Sequence, residues 1–180
     1  METSVSRQYL DSQIDGWMTI HELNWLFHEA ETMENVVGIG SWMGRSSHAL
    51  LSGCPGIVYC VDHFKGSPTE LDAAHKLALT EDIHVRFMRN VGHFKNLKVL
   101  KMDSIEASKL FKPKSVDMVF IDGEHTKEQA KADMEMWFPK CRKLLCGHDM
   151  NYEGVTRALK EIDLPYRYEN PTWTIWSVRL

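Results

Sequence analysis

The sequence has no apolar run approaching the roughly 20 residues required to span a bilayer, which excludes an ordinary membrane-spanning helix. It also has no excess of basic residues, because 21 Lys and Arg stand against 25 Asp and Glu, for a formal net charge of −4. Neither nucleic acid nor a membrane is therefore expected as a partner. The first residues, Met1 to Ser4, include an acid and precede no apolar segment, so they predict no signal peptide and the expected location is the cytoplasm.

Cysteine pairs at metal-binding spacing are missing as well. The chain has four cysteines: Cys54, Cys60, Cys141 and Cys146. None belongs to a C-x-x-C pair, so a zinc site is disfavoured and reduced thiols are expected. A hydrophobic content of 43% over 180 residues is ordinary for a globular protein. We therefore predict one domain over 1–180, with an N-terminal arm and helix at 1–33 and a core at 34–180.

A glycine-rich turn joins a strand-like run to a helix-like run near residue 40. The segment 35–50 opens with Asn-Val-Val, passes Gly38, Gly40 and Gly44, and favours a helix from Arg45. Such a unit presents backbone N–H groups to a ligand at the helix N-terminus. The spacing G-x-G-x-x-x-G is one residue longer than the dinucleotide fingerprint, and no Gly-Lys-Ser/Thr follows as in a phosphate-binding loop. The candidate cofactor contacts are Gly38, Gly40, Ser41 and Gly44. Glycines required only for packing are an equally good interpretation.

A second candidate contact ends the next strand-like run. Residues 57–61 are mostly apolar, and Asp62 follows them, 22 residues after Gly40. A carboxylate at this edge of a sheet can accept two hydrogen bonds from a ribose diol. We therefore predict a nucleoside-type cofactor with Asp62 as its ribose ligand and His63 beside it. The alternative is a surface aspartate that merely begins a loop.

Strand-like and helix-like segments alternate along the chain. A capping box at Thr19 and Glu22 predicts a helix to about Met33. Gly16 to Met18, just before it, would either fold over a ligand or form a hydrophobic staple. Further helices are expected at 45–51, 71–80, 81–94, 104–111, 126–140 and 153–162, and strands from 35 and at 57–62, 97–102, 115–122, 143–147, 166–169 and 174–178. This pattern predicts a doubly wound α/β fold, with a mostly parallel seven-stranded sheet, helices on both faces and an antiparallel C-terminal edge.

Two segments rich in acids and histidines end the predicted central strands. They read Phe120-Ile121-Asp122-Gly123-Glu124-His125 and Gly147-His148-Asp149. Both are expected in the crevice at the carboxyl edge of the sheet, where open α/β folds bind ligands. With the glycine turn, they resemble class I S-adenosylmethionine-dependent methyltransferases. Within that class, they are similar to the sugar and macrolide enzymes related to macrocin O-methyltransferase, a group that includes cephalosporin-hydroxylase-like proteins. The resemblance covers residues 17–160.

The resemblance implies a cofactor, S-adenosylmethionine, bound across the glycine turn. Asp122 would lie at the cofactor, and Asp103 or Ser104 would touch its adenine. Either of these two residues also suits the N-cap of a short helix. Gly38 is a departure, because the family has an acid at this position. One usual contact toward the methionine end of the cofactor is therefore missing.

The resemblance also implies a divalent cation held by Asp122, His148 and Asp149, with His125 as the base that abstracts the proton of an acceptor hydroxyl. Carboxylates suit a hard ion such as Mg²⁺, and a neutral histidine is a base poised near neutral pH. The family has an acid where this chain has His148, which would favour Mn²⁺ or Fe²⁺ instead. Ordinary strand-end turns and helix caps are the alternative interpretation of the same residues.

The predicted function is S-adenosylmethionine-dependent methyl transfer to a hydroxyl group of a small molecule, such as a sugar. With no long insertion over the crevice, either a large substrate or a second copy of the chain would have room to cover it, so a homo-oligomer is one expectation. There are two alternatives. One is a metal-dependent oxygenase of the cephalosporin-hydroxylase-like kind, and the other is a cofactor-binding subunit without catalytic activity.

Overall fold

The structure, a computed structural model, describes Tyr9, residues 13–67 and residues 76–180. Its α-helices are α1 (Ile20–Ala30), α2 (Arg45–Gly53), α3 (Ile83–Val91), α4 (Ser104–Ser108), α5 (Lys127–Trp137) and α6 (Glu153–Ile162). Its strands are β1 (Asn35–Ile39), β2 (Ile57–Val61), β3 (Leu97–Leu100), β4 (Val116–Ile121), β5 (Cys141–Gly147), β6 (Arg167–Tyr168) and β7 (Trp176–Arg179). Short 3₁₀ helices occur at Leu77–Leu79 and Phe138–Lys140.

The strands form one sheet in the order β3-β2-β1-β4-β5-β7-β6. Strands β1 to β5 pair in parallel, whereas β7 pairs antiparallel with β5, and β6 antiparallel with β7. The predicted seven-stranded sheet with an antiparallel C-terminal edge is therefore confirmed. The strand order reverses between β1 and β4, and ligands of open α/β sheets bind in the crevice at such a point.

The core fills both faces of the sheet. All six residues of β4 are buried, and five of them are apolar, as expected for a central parallel strand; the sixth, Asp117, pairs with Arg142. Met118 and Phe120 pack on the face covered by α1, α2 and α3, whereas Val119 and Ile121 pack on the face covered by α5 and α6. With both faces covered, the loops at the ends of the strands are left to bind a ligand.

Helix α1 begins as predicted and ends earlier. The Thr19 side chain accepts a hydrogen bond from the Glu22 amide, and the Glu22 side chain accepts one from the Thr19 amide, so the capping box is confirmed. The helix stops at Ala30 instead of running to Met33.

Other boundaries also differ from the predicted ones. Helix α5 ends at Trp137 because the chain tightens into a 3₁₀ turn containing Pro139, which lacks the N–H for another helical bond. The helix predicted at 71–80 lies mainly outside the described residues, which show only a short 3₁₀ turn at its end. The helix predicted at 81–94 is shortened to Ile83–Val91, and β5 begins two residues early, at Cys141. No helix in the described parts of the chain is long and apolar enough to cross a membrane.

Candidate active site

A cavity of about 740 Å³ opens at the carboxyl edge of the sheet, between the loops that follow β1, β2, β4 and β5. The segment before α1 forms another part of its wall, with Gly16, Trp17 and Met18 all lining it. Trp17 is 54% exposed, whereas Met18 is buried. Both interpretations of this segment agree with the structure, because the segment lines the cavity and Met18 is buried in the same core cluster as Leu23, as in a hydrophobic staple.

The glycine turn meets the end of β4 through direct backbone contact. Gly40 has φ +79°, and a Cβ atom there would lie 1.8 Å from the carbonyl oxygen of Asp122, so only glycine fits. Gly38 is buried under Leu50 of α2, and Gly44 caps α2 against Val91 and Phe87. Neither Gly38 nor Gly44 lies in the cavity wall. The structure gives these two glycines packing contacts, and their assignment as cofactor contacts stays a prediction.

Asp62 lies at the cavity with both carboxylate oxygens engaged. Its Oδ2 accepts a hydrogen bond from the Trp42 amide at 2.7 Å, and its Oδ1 accepts one from the Phe64 amide at 2.6 Å. Burial raises the pKa of Asp62 above its usual value, and these amide hydrogen bonds oppose the shift. Since a carboxylate oxygen has two lone pairs, each oxygen can still accept a hydroxyl from a ligand. Asp62 thus joins two loops and faces the cavity.

Ser41 and His63 flank Asp62 in the cavity wall. The Ser41 hydroxyl oxygen is buried and has no hydrogen-bond partner among the described residues. A buried polar atom without a partner is costly, so this oxygen is suited to a polar ligand. The His63 ring is more exposed, and its Nδ1 accepts a hydrogen bond from the Lys65 amide at 3.0 Å.

A buried carboxyl group supports the far end of the cavity, below the loop after β3. Asp103 is the N-cap of α4 and accepts a hydrogen bond from the Ile105 amide at 2.8 Å. The Ser104 hydroxyl is turned to Asp133 on α5, which also accepts a hydrogen bond from Gln129. Burial raises the pKa of Asp133 to about 6. Asp103 and Ser104 both line the cavity, and their contact with an adenine stays a prediction.

Three carboxylates surround the buried ring of His148 at the switch point. Its Nδ1 lies 3.0 Å from Asp149 Oδ1 and 3.4 Å from Asp122 Oδ1, and its Nε2 lies 3.4 Å from Glu22 Oε1. Burial lowers the pKa of His148, but Asp122, Asp149 and Glu22 outweigh it and raise the pKa to about 12. The surrounding carboxylates therefore favour the protonated ring, whose single positive charge offsets part of their negative charge.

His125 reaches the same group from the end of the loop between β4 and α5, directly before the N-cap Thr126. Its Nε2 lies 2.8 Å from Asp149 Oδ2, and its ring packs on Tyr152 with centroids 4.2 Å apart. Burial raises the pKa of Asp149, but hydrogen bonds from His125 and His148 outweigh it and hold the pKa well below its usual range. Asp149 has φ +67°, a conformation that aspartate tolerates better than most residues. The predicted base and the predicted cation ligands thus form one connected cluster.

Two residues of the site had not been predicted as such. Glu22 was interpreted only as half of a capping box, yet its other oxygen faces His148 and accepts the Thr174 amide at 3.0 Å. Asp133 falls three residues after Ala130 and four before Trp137, which is the spacing of the buried stripe of α5. That spacing predicts that Asp133 is buried. No pattern in the sequence around Glu22 predicts its second role beside His148.

Residues 37–150 match the family model described as a methyltransferase domain. The chain belongs to this methyltransferase family. The domain is of the class I, S-adenosylmethionine-dependent kind. The match does not single out the group related to macrocin O-methyltransferase, so that finer assignment stays a prediction. No curated protein matches the sequence.

Solved structures share the fold of this methyltransferase at low sequence identity. A Corynebacterium glutamicum protein has a TM-score of 0.65 and 13% identity, over 92% of this chain and 82% of that one. A Bacillus cereus O-methyltransferase in complex with S-adenosylhomocysteine has a TM-score of 0.61 and 17% identity, over 91% and 83%. A TDP-rhamnose 3′-O-methyltransferase of calicheamicin biosynthesis has a TM-score of 0.59 and 14% identity, over 88% and 77%.

The cavity of the methyltransferase fits the cofactor that the family implies. Asp62 offers lone pairs to a diol, and the buried Ser41 oxygen offers an unused polar contact. The donor set at the switch point also fits a divalent cation, because one ligand atom each from Asp122, His148 and Asp149 lies within 4.8 Å of the others. Such an ion would have to displace the proton that the carboxylates hold on His148.

Proposed function

We propose that this methyltransferase transfers a methyl group from S-adenosylmethionine to a hydroxyl group of a small molecule, with His125 as the base. The observation that carries the proposal is the pair formed by His125 and Asp149, 2.8 Å apart at the cavity, next to the candidate cation ligands. The printed names of two structural neighbours, an O-methyltransferase and a sugar 3′-O-methyltransferase, support oxygen as the acceptor atom.

The cofactor binds in the half of the cavity beside Asp62. When bound, S-adenosylmethionine supplies a methyl group on a positively charged sulfur. Asp62 accepts hydrogen bonds from the ribose, and Ser41 contributes its buried oxygen. Asp103 and Ser104 line the far end, where the adenine is expected. These contacts bind and orient the cofactor, and orientation itself accounts for much of the rate in a direct group transfer.

The proton of the acceptor hydroxyl is removed in the other half of the cavity, beside His125. An acceptor hydroxyl that enters beside His125 would take the place of Asp149 against Nε2, and Nε2 would accept its proton as the oxygen displaces the sulfur of the cofactor from the methyl carbon. Catalytic hydrogen bonds often form only in the reactive complex, so the His125–Asp149 contact in the free protein does not oppose this role. Asp149 then stabilises the imidazolium, since its own low pKa keeps it charged.

A divalent cation would be held by Asp122, His148 and Asp149. When bound, it would lower the pKa of the acceptor hydroxyl. Mg²⁺ suits the two carboxylates, and the nitrogen of His148 makes Mn²⁺ or Fe²⁺ the alternatives. Glu22 keeps the ring of His148 in place from the opposite side.

The test is transfer of labelled methyl from S-adenosylmethionine to a panel of phenols and hydroxylated sugars, with and without a chelator. We expect transfer to at least one acceptor, loss of most of the rate on chelation, and recovery with added Mg²⁺ or Mn²⁺. A rate that survives chelation would contradict the cation role and leave His148 as the cation of the cluster. Iron-dependent oxygen consumption without methyl transfer would instead favour the oxygenase alternative. Cofactor binding without either activity would favour a non-catalytic subunit.

A further inference from the structure

The wall of the cavity is strongly acidic. Among the described residues, eight carboxyl side chains line it, and two of them, Asp122 and Asp149, belong to the candidate cation site. The other six are Asp15, Glu22, Asp62, Asp103, Glu124 and Asp133. A divalent cation at the switch point would offset the charges of Asp122 and Asp149 and would leave the other six carboxyl groups. The negative field of the wall therefore persists whether or not the ion is bound.

Positive charge in the same wall is scarce and already engaged. Arg45 is the single Lys or Arg side chain that lines the cavity in the described parts of the chain. Its Nη1 donates to the carbonyl of Ile14 at 2.6 Å, and its Nε donates to the carbonyl of Met18 at 2.9 Å. Arg45 thus holds the segment before α1 in place. Sites that bind phosphate through side chains normally offer Arg or Lys in a fork around the anion, and the described part of this wall has no such set of cations.

Two partly exposed aromatic rings, Trp17 and Tyr152, line the cavity. Trp17 is 54% exposed beside Trp42, with ring centroids 6.3 Å apart. Tyr152 is 41% exposed and packs on His125, the proposed base. Exposed rings at a cavity offer flat apolar surface with polar edges, which suits the apolar face of a sugar or a phenyl ring.

We propose that the acceptor is an uncharged or positively charged hydroxyl compound, and that the cavity rejects acceptors carried on phosphate groups, such as nucleotide sugars and coenzyme A thioesters. The inference deepens the proposed O-methyltransferase function and rests on it. The same field suits S-adenosylmethionine, which carries a net positive charge. The structural neighbour named for TDP-rhamnose acts on a phosphate-bearing sugar, so the two proteins would share a fold and differ in the charge of the acceptor they admit.

The experiment compares matched acceptor pairs on the protein loaded with S-adenosylhomocysteine. The pairs are methyl rhamnoside against TDP-rhamnose, and methyl caffeate against caffeoyl-CoA, and each affinity is measured by titration calorimetry. We expect the phosphate-bearing member of each pair to bind at least about tenfold more weakly, with the difference shrinking as salt screens the wall. Equal or tighter binding of the phosphate-bearing members would overturn the proposal.

A charge-reversal variant locates the effect. Asp15 lines the cavity outside the proposed catalytic cluster. Asp15→Lys should therefore reduce the difference in affinity between the two acceptors of each pair. Glu135→Lys, on the exposed side of α5, makes the same change in net charge outside the cavity wall and should leave the difference as in the parent. Identical effects of the two variants would overturn the assignment to the wall.

Methyl transfer from labelled S-adenosylmethionine is measured in parallel. Its absence for every acceptor, with the binding difference intact, would contradict the proposed function and not the charge selection.

Discussion

The two halves of the cavity are built from different parts of the chain. Backbone groups shape the half beside Asp62, where the turn at Gly40 and the amides of Trp42 and Phe64 fix the loops. Side chains shape the half around His148, where acids from three separate segments converge on one ring. The first half depends on conformation and tolerates few backbone changes. The second depends on residue type, so a single side chain can be replaced there with the fold intact.

The largest effect expected from a single substitution is on turnover, at the side-chain half. His125→Ala should lower the rate of methyl transfer by about 10²–10⁴-fold, because proton removal is needed only in the transition state. The affinity for S-adenosylhomocysteine should stay within about twofold, since Asp62 and Ser41 are untouched. The rate is measured under single-turnover conditions, and the affinity by calorimetry. A large loss of affinity would show that the two halves are not separable.

The backbone half should respond in stability instead. Gly40→Ala places a Cβ atom 1.8 Å from the Asp122 carbonyl at a positive φ, and should cost about 2–5 kcal/mol of unfolding free energy. Gly123→Ala is the matched control, because its nearest neighbour, the Ile39 Cγ2 atom, is an ordinary 3.6 Å away. Urea unfolding of both variants checks the contrast. Similar midpoints for the two would mean that the turn relaxes easily and that the backbone half is not rigid.

The buried carboxyl of Asp133, below the half of the cavity beside Asp62, has a raised pKa, which allows a test of that half by pH. The pKa of Asp133 is raised to about 6, so the folded state holds its proton more tightly than the unfolded state. The stabilisation that protonated Asp133 contributes to the folded state is fully present below about pH 4, the pKa of an aspartate in the unfolded chain. It is lost as the pH rises through 6. Asp133→Asn removes the titrating group, so its free energy of unfolding should exceed that of the parent by up to about 3 kcal/mol at pH 7.5 and should differ little from it at pH 4. Parallel stability curves for parent and variant between pH 4 and 7.5 would contradict the assignment.

Cofactor affinity gives the smallest of these effects. Asp62→Ala should weaken binding of S-adenosylhomocysteine by about 2 kcal/mol, the cost of losing hydrogen bonds to a charged acceptor. His63→Ala is the control, because its ring is largely exposed and should contribute little. Titration calorimetry compares the two. Equal losses would indicate that Asp62 serves mainly to hold the amides of Trp42 and Phe64.

The same contrast explains what could be predicted from the sequence. The strand pattern and the residue types at 120–125 and 147–149 were enough for the fold and for the cluster of Asp122, His148 and Asp149, because parallel strands end at one edge. The glycine spacing was less informative. It identified the turn, but could not tell Gly40, which touches β4 and lines the cavity, from Gly38 and Gly44, which pack against helices. Those differences depend on neighbours distant in sequence.

The second role of Glu22 illustrates the same limit. A capping box is a local pattern, and one oxygen of this carboxylate does serve it. The other oxygen meets Thr174 and His148, which only the folded sheet brings near. Local rules therefore gave one half of the function of this side chain and no sign of the other.

The bond from Thr174 to Glu22 also bears on when the protein becomes active during its synthesis. The Thr174 amide donates to the Glu22 carboxylate 152 positions earlier, and strand β7 begins two residues after Thr174. A chain that has emerged from the ribosome only as far as α6 already carries every proposed catalytic and cofactor residue, but the carboxylate behind His148 lacks its support. Such a chain also lacks β7, whose Trp176 and Val178 are buried and which pairs with β5. We therefore expect nascent chains ending before residue 174 to be less stable than the full chain and to lack methyl transfer.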